Sequence, residues 1–179
     1  GLVLLSRYEG LPLVAIEALA MGVPVLVTDV GELRWLVEGA GGAGRAVAFA
    51  LREAGLEVWV WNRTPQRALA LAEEFGLRAV PLEKAREARL LVNATRVGLE
   101  DPSASPLPAE LLPEEGAVVD LVYRPLWTRF LREAQERGLK VQTGLPMLAW
   151  QGALAFRLWT GLLPDPSGME EAARRALGV

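Results

Sequence analysis

Gly39-Ala40-Gly41-Gly42-Ala43-Gly44-Arg45 fits the pattern G-x-G-x-x-G. Glycine-rich turns are common, so what surrounds this one carries the reading. A helical stretch, Arg45-Ala-Val-Ala-Phe-Ala-Leu-Arg52, follows at once. Gly55 ends it, and an apolar strand, Leu56-Glu-Val-Trp-Val-Trp61, comes next. That order is the βαβ unit of a dinucleotide site. Gly39 permits the sharp turn, Gly41 lets the backbone approach a pyrophosphate, and Gly44 allows close helix–strand packing. The amides of Gly42 and Ala43 then open the helix and face the phosphates, and the helix dipole adds attraction.

The tip of the second strand selects the dinucleotide. An acid about 20 residues beyond the glycines would bind a ribose 2′-hydroxyl. Here the tip reads Asn62-Arg63-Thr64-Pro65-Gln66-Arg67 and has no acid. A carboxylate would repel a 2′-phosphate, whereas Arg63 and Arg67 pair with it and Thr64 can donate a hydroxyl. NADP is therefore the expected cofactor. Thr64 before Pro65 also reads as a helix N-cap with proline in the first helical position.

Outward from this unit, strand-length apolar runs alternate with helical patterns. Strands are predicted at 2–5, 24–28, 33–37, 57–61, 90–93, 117–121 and 140–142. Helices are predicted at 13–21, 42–54, 65–75, 127–137, 147–160 and 169–177. The alternation and the all-apolar strands indicate an α/β fold, a doubly wound parallel sheet covered on both faces. Residues 99–115, rich in Pro, Ser and Glu, read as a loop with a short helix near 108–112.

Composition narrows the chemistry. The 179 residues are 51% hydrophobic and 23% charged, enough for a packed core. Net charge is -3 with no basic stripe, which argues against nucleic acid as a partner. There is no Cys and no His, so thiolate or imidazole metal sites and His-based triads are excluded, and no metal is expected. No apolar run is long enough for a membrane helix. The missing cysteines fit a cytoplasmic protein. The basic residues are 17 Arg and 2 Lys.

Several further stretches share one resemblance. Residues 39–45 with Asn62-Arg63-Thr64, then Asn93-Ala-Thr95, then Asp120-Leu-Val-Tyr123-Arg-Pro125, then Gly144-Leu-Pro-Met147-Leu-Ala-Trp-Gln151, resemble shikimate dehydrogenase in order and spacing. The resemblance implies NADP-dependent reduction of 3-dehydroshikimate to shikimate, an oxidoreductase of aromatic amino-acid biosynthesis. It implies that Asn62, Arg63, Thr64 and Arg67 hold the adenosine 2′-phosphate. Asn93 and Thr95 would line the cofactor channel, and Gly144 and Met147 would sit near the nicotinamide. Tyr123 would approach the shikimate carboxylate, and Gln151 would bond a shikimate hydroxyl. Read as residues alone, Tyr123 fits a strand-end core aromatic, Met147 a gap-filler and Gln151 a buried amide with a local partner. In this family a Lys–Asp pair on a separate N-terminal domain moves the hydroxyl proton. Neither Lys84 nor Lys140 matches that lysine, so no catalytic residue is assigned and no turnover is expected.

Residues 1–38 resemble something else. Glu9 and Glu17, in Ser6-Arg-Tyr-Glu9-Gly-Leu-Pro-Leu-Val-Ala-Ile-Glu17, reproduce the Glu-x7-Glu spacing of retaining two-Rossmann-domain glycosyltransferases. The upstream basic pair of that family is absent, so the segment is expected to be a strand–helix–strand graft, with nucleotide-sugar binding as the weaker alternative. Two pieces that do not normally adjoin imply a chimera, designed or artefactual, and the alternative to NADP binding is such a chimera with no retained activity. It would form one continuous globular unit, with 39–179 as the NADP-binding domain and 33–38 as its first strand. The seam is ambiguous: a transferase would begin a helix at 31–38, and Glu38 would place an acid beside the turn. Finally, the apolar residues Leu148, Trp150, Leu154 and Trp159 of the last long helix are expected to stay partly uncovered and to support a homodimer.

Overall fold

The computed structural model describes residues 34–178. Strand β1 spans Arg34–Glu38, and helix α1 spans Gly42–Glu53. Then come β2 (Glu57–Trp61), α2 (Pro65–Phe75) and the two-residue β3 (Arg78–Ala79). Strands β4 (Leu90–Asn93) and β5 (Ala117–Asp120) follow, then α3 (Arg129–Glu136) and β6 (Lys140–Gln142). Two helices, α4 (Leu145–Thr160) and α5 (Pro166–Leu177), close the chain. Short 3-10 turns cover Leu82–Glu87 and Ala109–Leu111.

All six strands run parallel in the order β3-β2-β1-β4-β5-β6. Alternate residues of each strand feed opposite faces, as the pleat requires. Val58 and Val60 of β2, with Leu90 and Val92 of β4, pack against Val47 and Leu51 of α1 and Leu71 of α2. Trp59, Leu91 and Val118 face the other way, onto Phe130 and Leu131 of α3 and Leu107 and Leu112 of the long loop. Both faces are therefore dry, which is why the strands read as continuous apolar runs. Each fully buried leucine here contributes roughly 1.5–3 kcal/mol.

The seam resolves as a strand. β1 pairs with β2 and with β4, including Glu38 opposite both Trp61 and Asn93. The expected strands at 2–5 and 24–28, the helix at 13–21, and Glu9 and Glu17 lie outside the described residues. Elsewhere the sequence reading needs correction at element ends. Strand β3 is too short for any periodicity to announce. Helix α3 begins at Arg129, not at 127, because the Thr128 hydroxyl accepts from the Leu131 amide at 3.3 Å and so caps the helix. Helix α5 begins at Pro166, not at 169, because Asp165 caps the amides of Ser167 and Gly168 at 3.1 and 3.0 Å. Helix α4 begins at Leu145, two residues before the expected start, since proline is tolerated in a first turn.

Candidate functional site

The strand order reverses direction at β1 and β4. In an open parallel sheet the crevice outside the carboxyl ends of two such strands is where ligands bind. The glycine turn lies there. Gly39 has φ +108°, a conformation that L side chains rarely adopt. A Cβ on it would stand 3.0 Å from the Ala94 carbonyl oxygen and 3.1 Å from Thr95 Cγ2. A Cβ on Gly44 would fall 1.7 Å from the Gly39 carbonyl oxygen, so α1 reaches the turn only as glycine. A Cβ on Gly41 would meet nothing within 4 Å: its outer side is open. Gly39 N–H donates to the Trp61 carbonyl at 2.9 Å, tying the turn to the tip of β2.

The start of α1 has no side-chain cap and no acid in its first turn. Its first amides therefore point outward with the positive end of the helix dipole behind them. This is an anion site in its simplest form. The next residue, Arg45, does not join it: its guanidinium pairs with Glu74 and stacks over Phe75, 5.2 Å from the ring centre. The Glu74 carboxyl is held below its usual range by that bond.

At the tip of β2, Asn62 Oδ1 accepts from the Thr64 amide at 2.8 Å. This tight turn puts Arg63 at its apex. Thr64 occupies the N-cap position of α2 with Pro65 next to it, but its hydroxyl makes no capping bond. The capping expectation is corrected accordingly: the asparagine orders the turn and leaves the threonine hydroxyl available. Arg63, Thr64 and Arg67 are all exposed. Among the described residues no carboxylate lies within ion-pair distance of Arg63 or Arg67, although nine other ion pairs form on this surface.

On the other side of the crevice, Asn93 is fully buried, so its side chain does not reach the crevice surface. Its Nδ2 donates to Asp120 Oδ1 at 2.9 Å and to the Val97 carbonyl at 3.2 Å. Its Oδ1 accepts from the Thr95 amide at 3.0 Å and the Thr95 hydroxyl at 2.7 Å. The amide group is thus fully engaged, and Thr95, half-buried, is the residue presented upward. Asp120 was assigned no role from sequence. An acid ending the apolar run Ala117-Val-Val-Asp120 was the available signal.

The remaining residues arrive at the same edge of the sheet. A Cβ on Gly144 would come within 2.5 Å of the Leu121 carbonyl oxygen, so the start of α4 packs directly on the exit of β5. That exit leads to Tyr123, exposed at the mouth of a cleft of about 410 Å³ shared with Arg124, Leu126 and Leu177. Met147 and Gln151, both half-buried, are one helical turn apart on α4 and share a face. Lys140 opens β6, at the opposite edge of the sheet, and Lys84 pairs with Glu87 at 2.6 Å. A larger cleft, about 700 Å³, also lies at that opposite edge, among Arg86, Arg89, Glu110, Glu115 and Arg137. Its lining is charged and includes the exposed Arg89–Glu115 ion pair, and none of the expected cofactor or substrate residues lines it.

Comparison with known proteins bears on this geometry. The profile of the Shikimate 5′-dehydrogenase C-terminal domain matches residues 144–174. The chain is 99% identical over 144 residues to the shikimate dehydrogenase (NADP(+)) of one Thermus thermophilus strain, covering 80% of this chain and 55% of the relative. It is 41% identical over 155 residues to the enzyme of Aquifex aeolicus, covering 86% and 57%. The crystal structure of Thermus thermophilus shikimate 5-dehydrogenase in complex with NADP(H) and shikimate superposes with a TM-score of 0.82 at 82% identity, covering 93% of this chain and 62% of that one. The chain thus spans about half the length of the curated relatives it matches, and what it shares with them is their C-terminal portion. A second profile, glycosyl transferases group 1, matches residues 2–55 and so runs through β1 and α1.

Proposed function

We propose that residues 39–179, the close homologue of the C-terminal part of shikimate dehydrogenases, bind NADP and serve reduction of 3-dehydroshikimate to shikimate. The observation that carries the reading is the uncapped start of α1 behind an open Gly41, with Arg63 and Arg67 exposed on the adjoining strand tip and without an ion-pair partner among the described residues. Bound NADPH supplies the hydride. The chain's own part is to hold and orient the cofactor. The amides of Gly42, Ala43 and Gly44 take the pyrophosphate, and Asn62 shapes the turn from which Arg63, Thr64 and Arg67 take the 2′-phosphate. Thr95, Gly144 and Met147 border the nicotinamide end. Tyr123 and Gln151 face the substrate. Asn93 acts through Thr95.

Hydride transfer to a ketone also needs a proton delivered at its oxygen. Lys140 and Lys84 both stand elsewhere, so a polypeptide of these 179 residues is read as binding without turning over. Calorimetric titration tests the reading: NADP+ should bind well ahead of NAD+, and Arg63→Ala should abolish the preference. Equal binding of the two cofactors, or none, would overturn it.

The profile match at residues 2–55 favours one second reading, a chimera whose first segment binds a nucleotide sugar through Glu9 and Glu17. Titration with a uridine-diphosphate sugar, and its loss in Glu17→Ala, would support that instead. A homodimer is also proposed. Its basis is the apolar surface at the end of α4, where Phe156, Leu158, Trp159, Leu162 and Leu163 are exposed.

A further inference from the structure

Asp120 ends β5 with a carboxylate that solvent does not reach. Burying a charge is costly, and an apolar residue of similar size often serves stability as well or better. A buried carboxylate at this place therefore calls for a use, and its bonds indicate one. Oδ1 accepts from Asn93 Nδ2 and from the Val122 amide, both at 2.9 Å. Oδ2 accepts from the Thr128 hydroxyl at 2.6 Å. Burial pushes the carboxyl pKa up to about 6, against the pull of these three donors.

Two of these bonds reach opposite walls of the crevice, and the third reaches the cap of α3. Through Asn93, the carboxylate orients the amide oxygen that receives both Thr95 donors. Through Val122 it holds the backbone immediately before Tyr123. Through Thr128 it fixes the hydroxyl that caps α3. One buried group thus sets the spacing between the Thr95 loop after β4 and the Tyr123 loop after β5. We propose that Asp120 is a positioning residue for the nicotinamide end of the site, holding the cofactor wall at Thr95 and the substrate wall at Tyr123 in one fixed relation. This rests on the NADP reading above. Asp120 touches neither ligand; it acts through Asn93 and the Val122 amide.

The experiment uses two probes on the full 179-residue chain. Adenosine 2′,5′-bisphosphate occupies only the Arg63–Arg67 end, whereas NADPH also places a nicotinamide, whose fluorescence rises when it is immobilised. Asp120→Asn should weaken NADPH about tenfold and reduce the fluorescence rise, leaving bisphosphate affinity unchanged. Thr128→Val, which removes one donor to the carboxylate, should act in the same direction. Thr128→Ser, which restores that donor, should recover wild-type behaviour. Equal loss of both probes, unchanged NADPH binding, or failure of Thr128→Ser to recover it would overturn the proposal. If Asp120→Asn does not fold, the Thr128 pair decides. Wild-type protein that binds neither probe overturns the NADP reading and this proposal with it.

Discussion

Arg63 and Asp120 are the two residues whose electrostatics matter most, and for opposite reasons. Arg63 is exposed, with no ion-pair partner among the described residues, so its interaction with a 2′-phosphate is a charge-assisted bond in partial solvent. Arg63→Ala should weaken NADP+ about ten- to a hundredfold while leaving NAD+ nearly unaffected, as titration calorimetry would show. Asp120 is buried, and its pKa is raised from 3.8 to about 6. The folded state therefore holds this proton more tightly than the unfolded chain does. The contribution is full below the unfolded value and is lost as pH rises through about 6. Stability from this group alone should fall between about pH 4 and pH 6, by on the order of 3 kcal/mol. The lowered carboxyls of Glu74 and Asp101 act in the other direction. Urea melts across that range, comparing wild type with Asp120→Asn, isolate the term. An identical pH slope in both would contradict it. Arg63 was legible in sequence because its position follows from the glycines. The full engagement of Asn93 was not, because its partner Asp120 is brought to it only when β4 and β5 pair.

Among elements, the first βαβ unit is the most demanding sterically. Gly44→Ala would drive a methyl into the Gly39 carbonyl, whose oxygen would lie 1.7 Å away. Turn and helix would have to separate, at about 3 kcal/mol or more, with loss of cofactor binding. A melting temperature and affinity close to wild type would show that the turn is not built this way. Helix α3 illustrates how an end is set by chemistry outside the apolar pattern. Its periodicity runs from residue 127, but the Thr128 hydroxyl, itself pinned by Asp120, starts it at Arg129. Likewise the apolar pattern of α5 begins at Met169, whereas the Asp165 carboxylate starts the helix at Pro166. Strands β2, β4 and β6 and helix α2 lie where the sequence reading puts them, because their patterns have sharp punctuation at both ends.

For the whole molecule, the apolar surface on α4 differs from the one expected. Leu154 is buried in the core, and Leu148 and Trp150 are half-covered. The exposed residues gather at the helix end and the turn after it, with Trp159 at 76% and Leu162 at 68% exposure. A self-association surface there should show as concentration-dependent elution in size exclusion, abolished by Trp159→Glu. Elution as a monomer at every concentration would remove the dimer. Among the described residues no helix is long and apolar enough to cross a membrane.

Sequence by itself determined the doubly wound sheet, the glycine turn and the arginine tip. These rest on local patterns: short all-apolar runs in the strands, a period near four in the helices, and glycines where no other residue fits. Only the tertiary structure decided which polar groups face a ligand and which face one another. Asn93 and Asp120 are far apart in the chain, and only the parallel pairing of β4 with β5 joins Asn93 to Asp120 and Thr128 in one buried network. Hydrogen bonding between distant residues leaves no periodic trace, so the role of such a network appears only after the sheet has formed.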